Sequence, residues 1–428
     1  MLWLYRLLFL PVLLVLAPYY LWRMRRRGGY GEDFGQRLGA VPALPPKRVG
    51  VRRIWLQAVS VGEMLAIEPV LTALAADPTI EVYLTTTTST GHRLASERYR
   101  ARVLAIGYFP LDAWPLSARA WRAVSPDLVI LTEGERWPEH IAQAARRGVP
   151  VVCINARLSD RSYRRMRAWA PAVRPLLGGI TRLLPASELD ATRFREIGFP
   201  AERMTTTGNI KLDVAIPVLR ESERGQLRRE LGLAEVGLVV LGSSTWPGEE
   251  AALVAALRGL RGGGIDCRLL LVPRHAERRG EIAALLQTAG LTHHFRSSGA
   301  AAGPVDVAVG DTTGELSKLT QVADIVFVGK SLPPHHEGQT PVEAAALGRA
   351  ILFGPQMSNF RLLATELVEA GAARRVANPG ELAGALERLA RGGTEREVMG
   401  QAGLAWHRRN RGAVDRTLQI LRAERVTR

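Results

Sequence analysis

Short apolar runs recur along the chain, each closing in small or polar residues and each followed by a stretch with apolar positions at helical spacing. In the first half, the runs at 54–60 (IWLQAVS), 81–88 (EVYLTTTT), 127–133 (DLVILTE), 150–156 (PVVCINA) and 180–186 (ITRLLPA) read as strands. Helices are predicted over 63–76 and 91–100, between the first strands. The same rhythm restarts at 237–245 (GLVVLGSST) and continues through 267–275, 305–311, 324–331 and 350–355. A long helical region, 381–422, closes the chain. Strand and helix in alternation predict a parallel sheet covered by helices, an α/β fold. Ligands of such sheets bind at the carboxyl ends of the strands, where these runs turn small and polar.

A chain of 428 residues exceeds one ordinary core and fits two domains. The expected division is an N-terminal apolar segment with a basic flank (1–27), a first Rossmann-like domain (28–215), a polar linker (216–236), a second Rossmann-like domain (237–405) and a C-terminal helix (406–428). Two successive doubly wound halves match the architecture of many nucleotide-sugar transferases, in which the domains face a cleft; fold by itself does not give function.

The first 22 residues carry one charge, Arg6, and Leu7 to Trp22 carries none. That run is at the short end of what crosses a hydrocarbon core of roughly 30 Å, and Pro11 and Pro18 kink it. Arg23, Arg25, Arg26 and Arg27 follow directly, which assigns that flank to the cytoplasm. A cleaved signal peptide carries its charge before the apolar run, so a membrane anchor is expected, with a helix lying in the interface as the alternative. The catalytic domains are then cytoplasmic, at the inner membrane.

Composition is that of a folded enzyme, 47% hydrophobic and 23% charged. Net charge is +16, mostly arginine excess, and favours an anionic partner: nucleic acid, an anionic membrane face or a phosphorylated substrate. Cys153 and Cys267 lie inside strand-like runs and read as buried hydrophobes, with no disulfide framework or metal spacing. GxGxxG after the first strands, a P-loop and a zinc-spaced cluster are all missing, which weakens dinucleotide oxidoreduction and NTP hydrolysis.

Each candidate motif has a structural reading beside a chemical one. Ser60-Val-Gly-Glu63 is a capping box ahead of a helix; it also places Glu63 as a general base, although a helix N-terminus lowers carboxylate basicity. In Glu133-Gly-Glu135-Arg136-Trp137-Pro138, one acid caps the next helix while the other pairs with an arginine, or one faces the site. Arg157, Arg161, Arg164, Arg165 and Arg167 form a solvated helix face or hold the phosphates of an anionic lipid. Aromatic residues are not interleaved with that stretch as stacking on nucleic acid requires, so nucleic acid is not the expected partner. The turn after 237–245, Gly242-Ser-Ser244-Thr-Trp-Pro-Gly, caps its helix or binds phosphate. Pro273-Arg274-His275 places a cation at the sheet edge. Gly338-Gln339-Thr340-Pro341-Val-Glu343 is an ordinary helix entry, or brings amides onto a phosphate and a carboxylate onto ribose. Adjacent His335 and His336 point apart and lack a third ligand, so no metal site is assigned.

Taken in order, AVSVGE, TTTTSTG, TEGERWP, NARLSDRS, TGNIKLD, GSSTWPGEE, VPRHAER, VGDTTGEL, ADIVFVGKSL, GQTPVEAA, GPQMSNF and a terminal NRGA resemble the succession found in 3-deoxy-D-manno-octulosonic acid (Kdo) transferases, over essentially the whole chain. The resemblance implies the two-domain GT-B fold, inverting transfer from CMP-Kdo to a lipid A precursor, and neither metal nor cofactor. The family's proposed base corresponds to Glu63, and the first acid of its E-x-E-x-W-P stretch to Glu133. Arg274 corresponds to the arginine of its PRH, and Glu343 to a ribose-binding glutamate. Ser244, Pro273, Gly338, Gln339 and Thr340 complete the expected donor set; Arg157, Arg161 and Arg164 are the expected contacts to acceptor phosphate. This chain departs where many members read GGHNPLEPAA: Glu337, Gln339 and Thr340 stand for Gly, His and Asn, so phosphate contact there is expected through the backbone. Gln36 replaces the glutamate of a family GERYG segment and is assigned no role. Two other readings stay open, a GT-B transferase of a UDP-sugar and a non-catalytic lipid-binding relative.

Overall fold

The computed structural model describes residues 2–26, 33–134, 136–213, 216–234 and 237–424. The chain divides into two compact units: Met1–Asp213 with Arg411–Arg428, and Val214–Asn410.

The first unit is built on six parallel strands, β1 (Arg52–Gln57), β2 (Ile80–Thr86), β3 (Ala105–Tyr108), β4 (Leu128–Thr132), β5 (Val151–Ala156) and β6 (Arg182–Pro185). Their order is β3-β2-β1-β4-β5-β6. Ile54, Trp55 and Leu56 of β1 are fully buried, one face against the helices Glu68–Ala75 and Ala413–Ala423 and the other against Trp121 and Phe109. Covering both faces is what lets successive residues of one strand all be apolar. The helix expected over 63–76 is two, Val61–Ala66 and Glu68–Ala75, broken at Ile67. Cys153 is buried and free.

The second unit carries β7 (Leu238–Thr245), β8 (Cys267–Pro273), β9 (His293–Phe295), β10 (Val307–Val309), β11 (Ile325–Val328), β12 (Ala350–Phe353) and β13 (Ala373–Arg375), ordered β13-β12-β11-β7-β8-β10-β9. Every observed pairing in both sheets is parallel, for example Ile54↔Val82 and Val326↔Leu241.

Three expectations are corrected. The segment 216–236 expected as a linker carries the helix Glu221–Glu230 and clusters with the second unit. The C-terminal helix is not one element from 406: Gly393–Asn410 belongs to the second unit, and Ala413–Ala423 packs in the first. Asp213 makes that last turn, its carboxylate accepting the N–H groups of Gly412 (3.2 Å) and Val414 (2.8 Å). Strands β3, β9 and β13 had no expected counterpart.

The N-terminal apolar segment forms the helix Leu2–Arg26, with Pro11 and Pro18 inside it. Among the described residues no single helix is long and apolar enough to cross a membrane; Leu2–Phe9 and Pro11–Tyr19 reach that length and composition only together, bent by 41°. Arg27 of the basic flank lies outside the described residues.

Candidate active site

Strand order locates the sites before any side chain is considered. In the first sheet the order reverses between β1 and β4, in the second between β7 and β11. A crevice opens at the carboxyl ends of such a strand pair because the following loops diverge to opposite faces. Five non-glycine residues among those described have positive φ, and four sit at these strand ends or beside them: Glu133 (49°), Asn155 (50°), Ser244 (53°) and Lys330 (57°). Left-handed backbone at ordinary residues costs free energy and persists where the surroundings over-determine it, commonly at functional sites.

At the end of β1, Ser60 caps the helix Val61–Ala66, its hydroxyl accepting from Glu63 N–H at 3.3 Å. The Glu63 carboxylate does not complete the usual box on the cap residue's own amide. Its Oε2 accepts instead from Val59 N–H at 3.0 Å and from the Thr132 hydroxyl, at the end of β4, at 2.6 Å. Among the described residues Oε1 accepts only from Ser60 Oγ, at 3.2 Å. One carboxylate oxygen is thus saturated, while the other keeps lone-pair capacity for a substrate proton. Burial raises the Glu63 pKa above the ordinary carboxylate value; the Thr132 hydroxyl and Val59 N–H oppose this, nearby Glu133 adds to it and Lys211 subtracts. Capping and site geometry coexist, and the expected loss of basicity at a helix start is outweighed by burial.

Glu133 pairs with Lys211, not with an arginine, and is reached by the Asn155 amide at 3.4 Å. Asn155 Oδ1 in turn accepts Ile210 N–H at 3.2 Å, and Asn209 caps the short turn that presents Lys211. Lys211, Thr132 and Asn155 are the site residues that sequence reasoning missed; NIK and NAR were visible as motifs, without a link to Glu133. Neither acid of the Glu133 segment caps the next helix as far as it is described: the first-turn amides of Glu139 and His140 go to Asp112, and Glu135 lies outside the described residues. Arg157 follows β5, its N–H directed at the Glu133 carbonyl (3.4 Å). Arg161 and Arg164 are exposed on the helix Asp160–Ala168, and none of these three guanidinium groups has a partner among the described residues.

In the second unit one buried carboxylate organises the switch point. Glu249 Oε2 accepts the N–H groups of Trp246 (2.9 Å) and Lys330 (2.8 Å), and Oε1 those of Ser331 (2.8 Å) and Leu332 (3.0 Å). It ties the loop after β7 to the loop after β11. The two approach so closely that a Cβ on Gly329 would lie 2.5 Å from the Ser244 carbonyl oxygen. Lys330 Nζ stands over the Trp246 ring at 4.2 Å, and His275 and His335 pack against the same ring. Pro273 ends β8 in register with Thr245. Arg274 is exposed at that edge, its side chain without a partner among the described residues. Gly338 turns at φ 74°, its N–H bonded to the Lys330 carbonyl at 2.7 Å. Gln339 and Thr340 follow half-buried, and the Thr340 hydroxyl accepts Val342 N–H at 3.3 Å. Glu343, in the first turn of Val342–Ala346, has its pKa raised by burial. Its carboxylate bonds to no other residue among those described. Among the described residues, no three His, Cys, Asp or Glu side chains are grouped to hold a metal ion.

A family model described as 3-Deoxy-D-manno-octulosonic-acid transferase (kdotransferase) matches residues 32–214. A 3-deoxy-D-manno-octulosonic acid transferase of Bordetella pertussis is 35% identical over 95% of this chain and 96% of its own length. One from Haemophilus influenzae is 31% identical, over 97% and 94% respectively. Among solved structures, Anabaena HepE in complex with UDP superposes with TM-score 0.55 at 16% identity, covering 87% of this chain and 99% of that one. The UDP-GlcNAc 2-epimerase of Neisseria meningitidis gives 0.54 at 16%, covering 87% and 100%. At that identity the likeness is one of fold, the GT-B class of two doubly wound α/β units.

Proposed function

The chain belongs to the 3-deoxy-D-manno-octulosonic acid transferases, a family of glycosyltransferases, and from that premise we propose that it moves Kdo from CMP-Kdo to a lipid A precursor at the cytoplasmic face of the inner membrane. The observation that carries the mechanism is the Glu63 carboxylate, made more basic by burial and open at Oε1. Oε1 takes the proton of a glucosamine hydroxyl on the acceptor. The hydroxyl oxygen bonds to the anomeric carbon of Kdo as the bond to the CMP phosphate oxygen breaks, CMP leaves with the electron pair, and the centre inverts. Glu133 holds Lys211 beside the base, and the Lys211 charge favours the ionised form of Glu63.

The second unit serves the donor. Arg274 and the amides of Gln339 and Thr340 meet the phosphate, in the turn that Gly338 opens, stabilising the charge that develops on the leaving group. The unpartnered Glu343 carboxylate takes the ribose hydroxyls, with Ser244 and Pro273 lining the nucleotide. Arg157, Arg161 and Arg164, free of internal partners among the described residues, meet the phosphates of the lipid acceptor. The apolar helix Leu2–Arg26 attaches the protein to the membrane.

Incubating the purified full-length chain with CMP-Kdo and a tetraacylated lipid A precursor, read by mass, tests the reaction. Glu63→Gln is expected to lower turnover by about 10²–10⁴-fold while calorimetric CMP binding persists. Unchanged turnover removes Glu63 from the role of base, and tighter binding of UDP than of CMP moves the donor to the UDP-sugars.

A further inference from the structure

Arg6 is the one charge in the apolar run that opens the N-terminal helix, ahead of the basic flank, and the structure gives it a partner on the protein body. Its Nε donates to Glu139 Oε2 at 2.7 Å and its Nη2 to Oε1 at 3.0 Å. The Glu139 side chain is fully buried and also accepts from Gln143 (2.8 Å) and Arg146 (2.9 Å). One residue earlier, the Tyr5 hydroxyl donates to Asp112 at 2.6 Å. Asp112 is itself buried and accepts the first-turn amides of the helix Pro138–Arg146. Bidentate guanidinium–carboxylate geometry is both strong and directional, and withdrawing Arg6 would take the cation from Oε2 of a buried carboxylate, leaving Arg146 on Oε1. The start of the N-terminal helix is therefore an integral part of the first unit.

Beyond Arg6 the helix changes character. Leu14, Val15 and Leu16 are all exposed, with Leu7, Tyr19 and Trp22. Three consecutive exposed residues face more than one side, so the exposed apolar surface is broader than a narrow stripe, with Phe9, Leu13 and Ala17 half-buried along the remaining face. The chain is bonded to the first unit again soon afterwards: Gln36 Oε1 accepts Tyr108 N–H at 2.7 Å, and the Arg37 carbonyl accepts Leu111 N–H at 2.9 Å. Position 111 adjoins Asp112, the partner of Tyr5. Both ends of the apolar segment are fastened to one short stretch, 108–112.

A single crossing would put those two ends on opposite sides of roughly 30 Å of hydrocarbon. The segment is also short for that: Leu7 to Trp22 rises only about 24 Å even as a straight helix, and it bends by 41°. We propose that the helix enters and leaves the same leaflet, a monotopic insertion into the lipid surface, with Tyr5 and Arg6 fastening it to the catalytic unit through Asp112 and Glu139. The inference rests on the reading that the protein works at a membrane. Lipid is the occupant that the exposed surface fits, because Tyr19 and Trp22 are aromatic residues of the kind that settle at headgroup level and the net charge of +16 suits an anionic leaflet.

The test is the side on which position 3 lies. Trp3→Cys and, as a reporter for the body, Val49→Cys are each made in the full chain; both positions are exposed, and the natural Cys153 and Cys267 are buried. A membrane-impermeant maleimide is added to inverted inner-membrane vesicles and to spheroplasts. Labelling of both thiols from inverted vesicles alone is the expected result; labelling of position 3 from spheroplasts, with position 49 labelled from inverted vesicles, overturns it. If lipid shields position 3 from both sides, protease digestion of an N-terminal tag in inverted vesicles decides: digestion supports the proposal and protection overturns it. Release of the protein by alkaline carbonate overturns the lipid insertion itself. Kdo transfer is assayed in the same vesicles, so a failed topology and a failed reaction are read separately.

Discussion

Thr132→Val removes the shortest contact that favours the ionised form of Glu63. The hydroxyl lies 2.6 Å from Oε2, and Thr132 is 1% exposed on β4, so a side chain of nearly the same shape keeps the packing. A hydrogen bond to a charged group contributes about 1.5–3 kcal/mol, and about 1.4 kcal/mol is a factor of ten in an equilibrium or rate. Its loss raises the Glu63 pKa further, because the hydroxyl favours the charged form. The Val59 amide remains at 3.0 Å and the carboxylate is partly solvated, so the lower end of that energy range is expected. The sign follows from the role: a general base must be ionised, so activity falls as pH drops through its pKa, and a raised pKa moves that fall to higher pH. On the acidic limb the variant should lose about tenfold in kcat/KM, and on the alkaline plateau it should match or slightly exceed the parent, because the base is stronger. The assay is kcat/KM for Kdo transfer from about pH 5 to 9, with the parent alongside so that titration of the lipid phosphates cancels. A limb that stays in place while the plateau falls would refute Glu63 as the titrating base.

Lys211→Met removes the partner of Glu133 and a positive charge that lowers the Glu63 pKa. It should move the same limb to higher pH and lower kcat/KM by about tenfold or more, with partial recovery in Lys211→Arg; pH profiles of the two variants check this. Glu249→Gln leaves one carbonyl oxygen where two carboxylate oxygens accept four amides, and turns an amide donor toward donors. It should destabilise the protein by about 3 kcal/mol in urea unfolding, and raise KM for CMP-Kdo while KM for the acceptor stays unchanged.

The α/β class, two sheets and most strands were legible because a strand covered on both faces must be apolar along its length, and runs such as 127–133 have no other use. The strands that escaped notice, AIGY (β3), HHF (β9) and ARR (β13), lie at the sheet edges and are three or four residues long; HHF and ARR carry no apolar run, and the run around AIGY is interrupted by Gly107. Glu63 and Glu133 stood out as motif residues, each at a strand end. That they share one site depends on β1 and β4 being neighbours, a matter of strand order that no local pattern encodes. Lys211 and Asn155 were hidden for the same reason, their partners being distant along the chain. Arg6 makes the contrast most clearly: its single charge in an apolar run was plain to read, but only the packed unit supplies the buried Glu139 that receives it. Hydrophobic spacing reports what each segment must bury, whereas the identity of the group across a contact is set by tertiary packing, because burial is non-directional and ion pairs and hydrogen bonds are not.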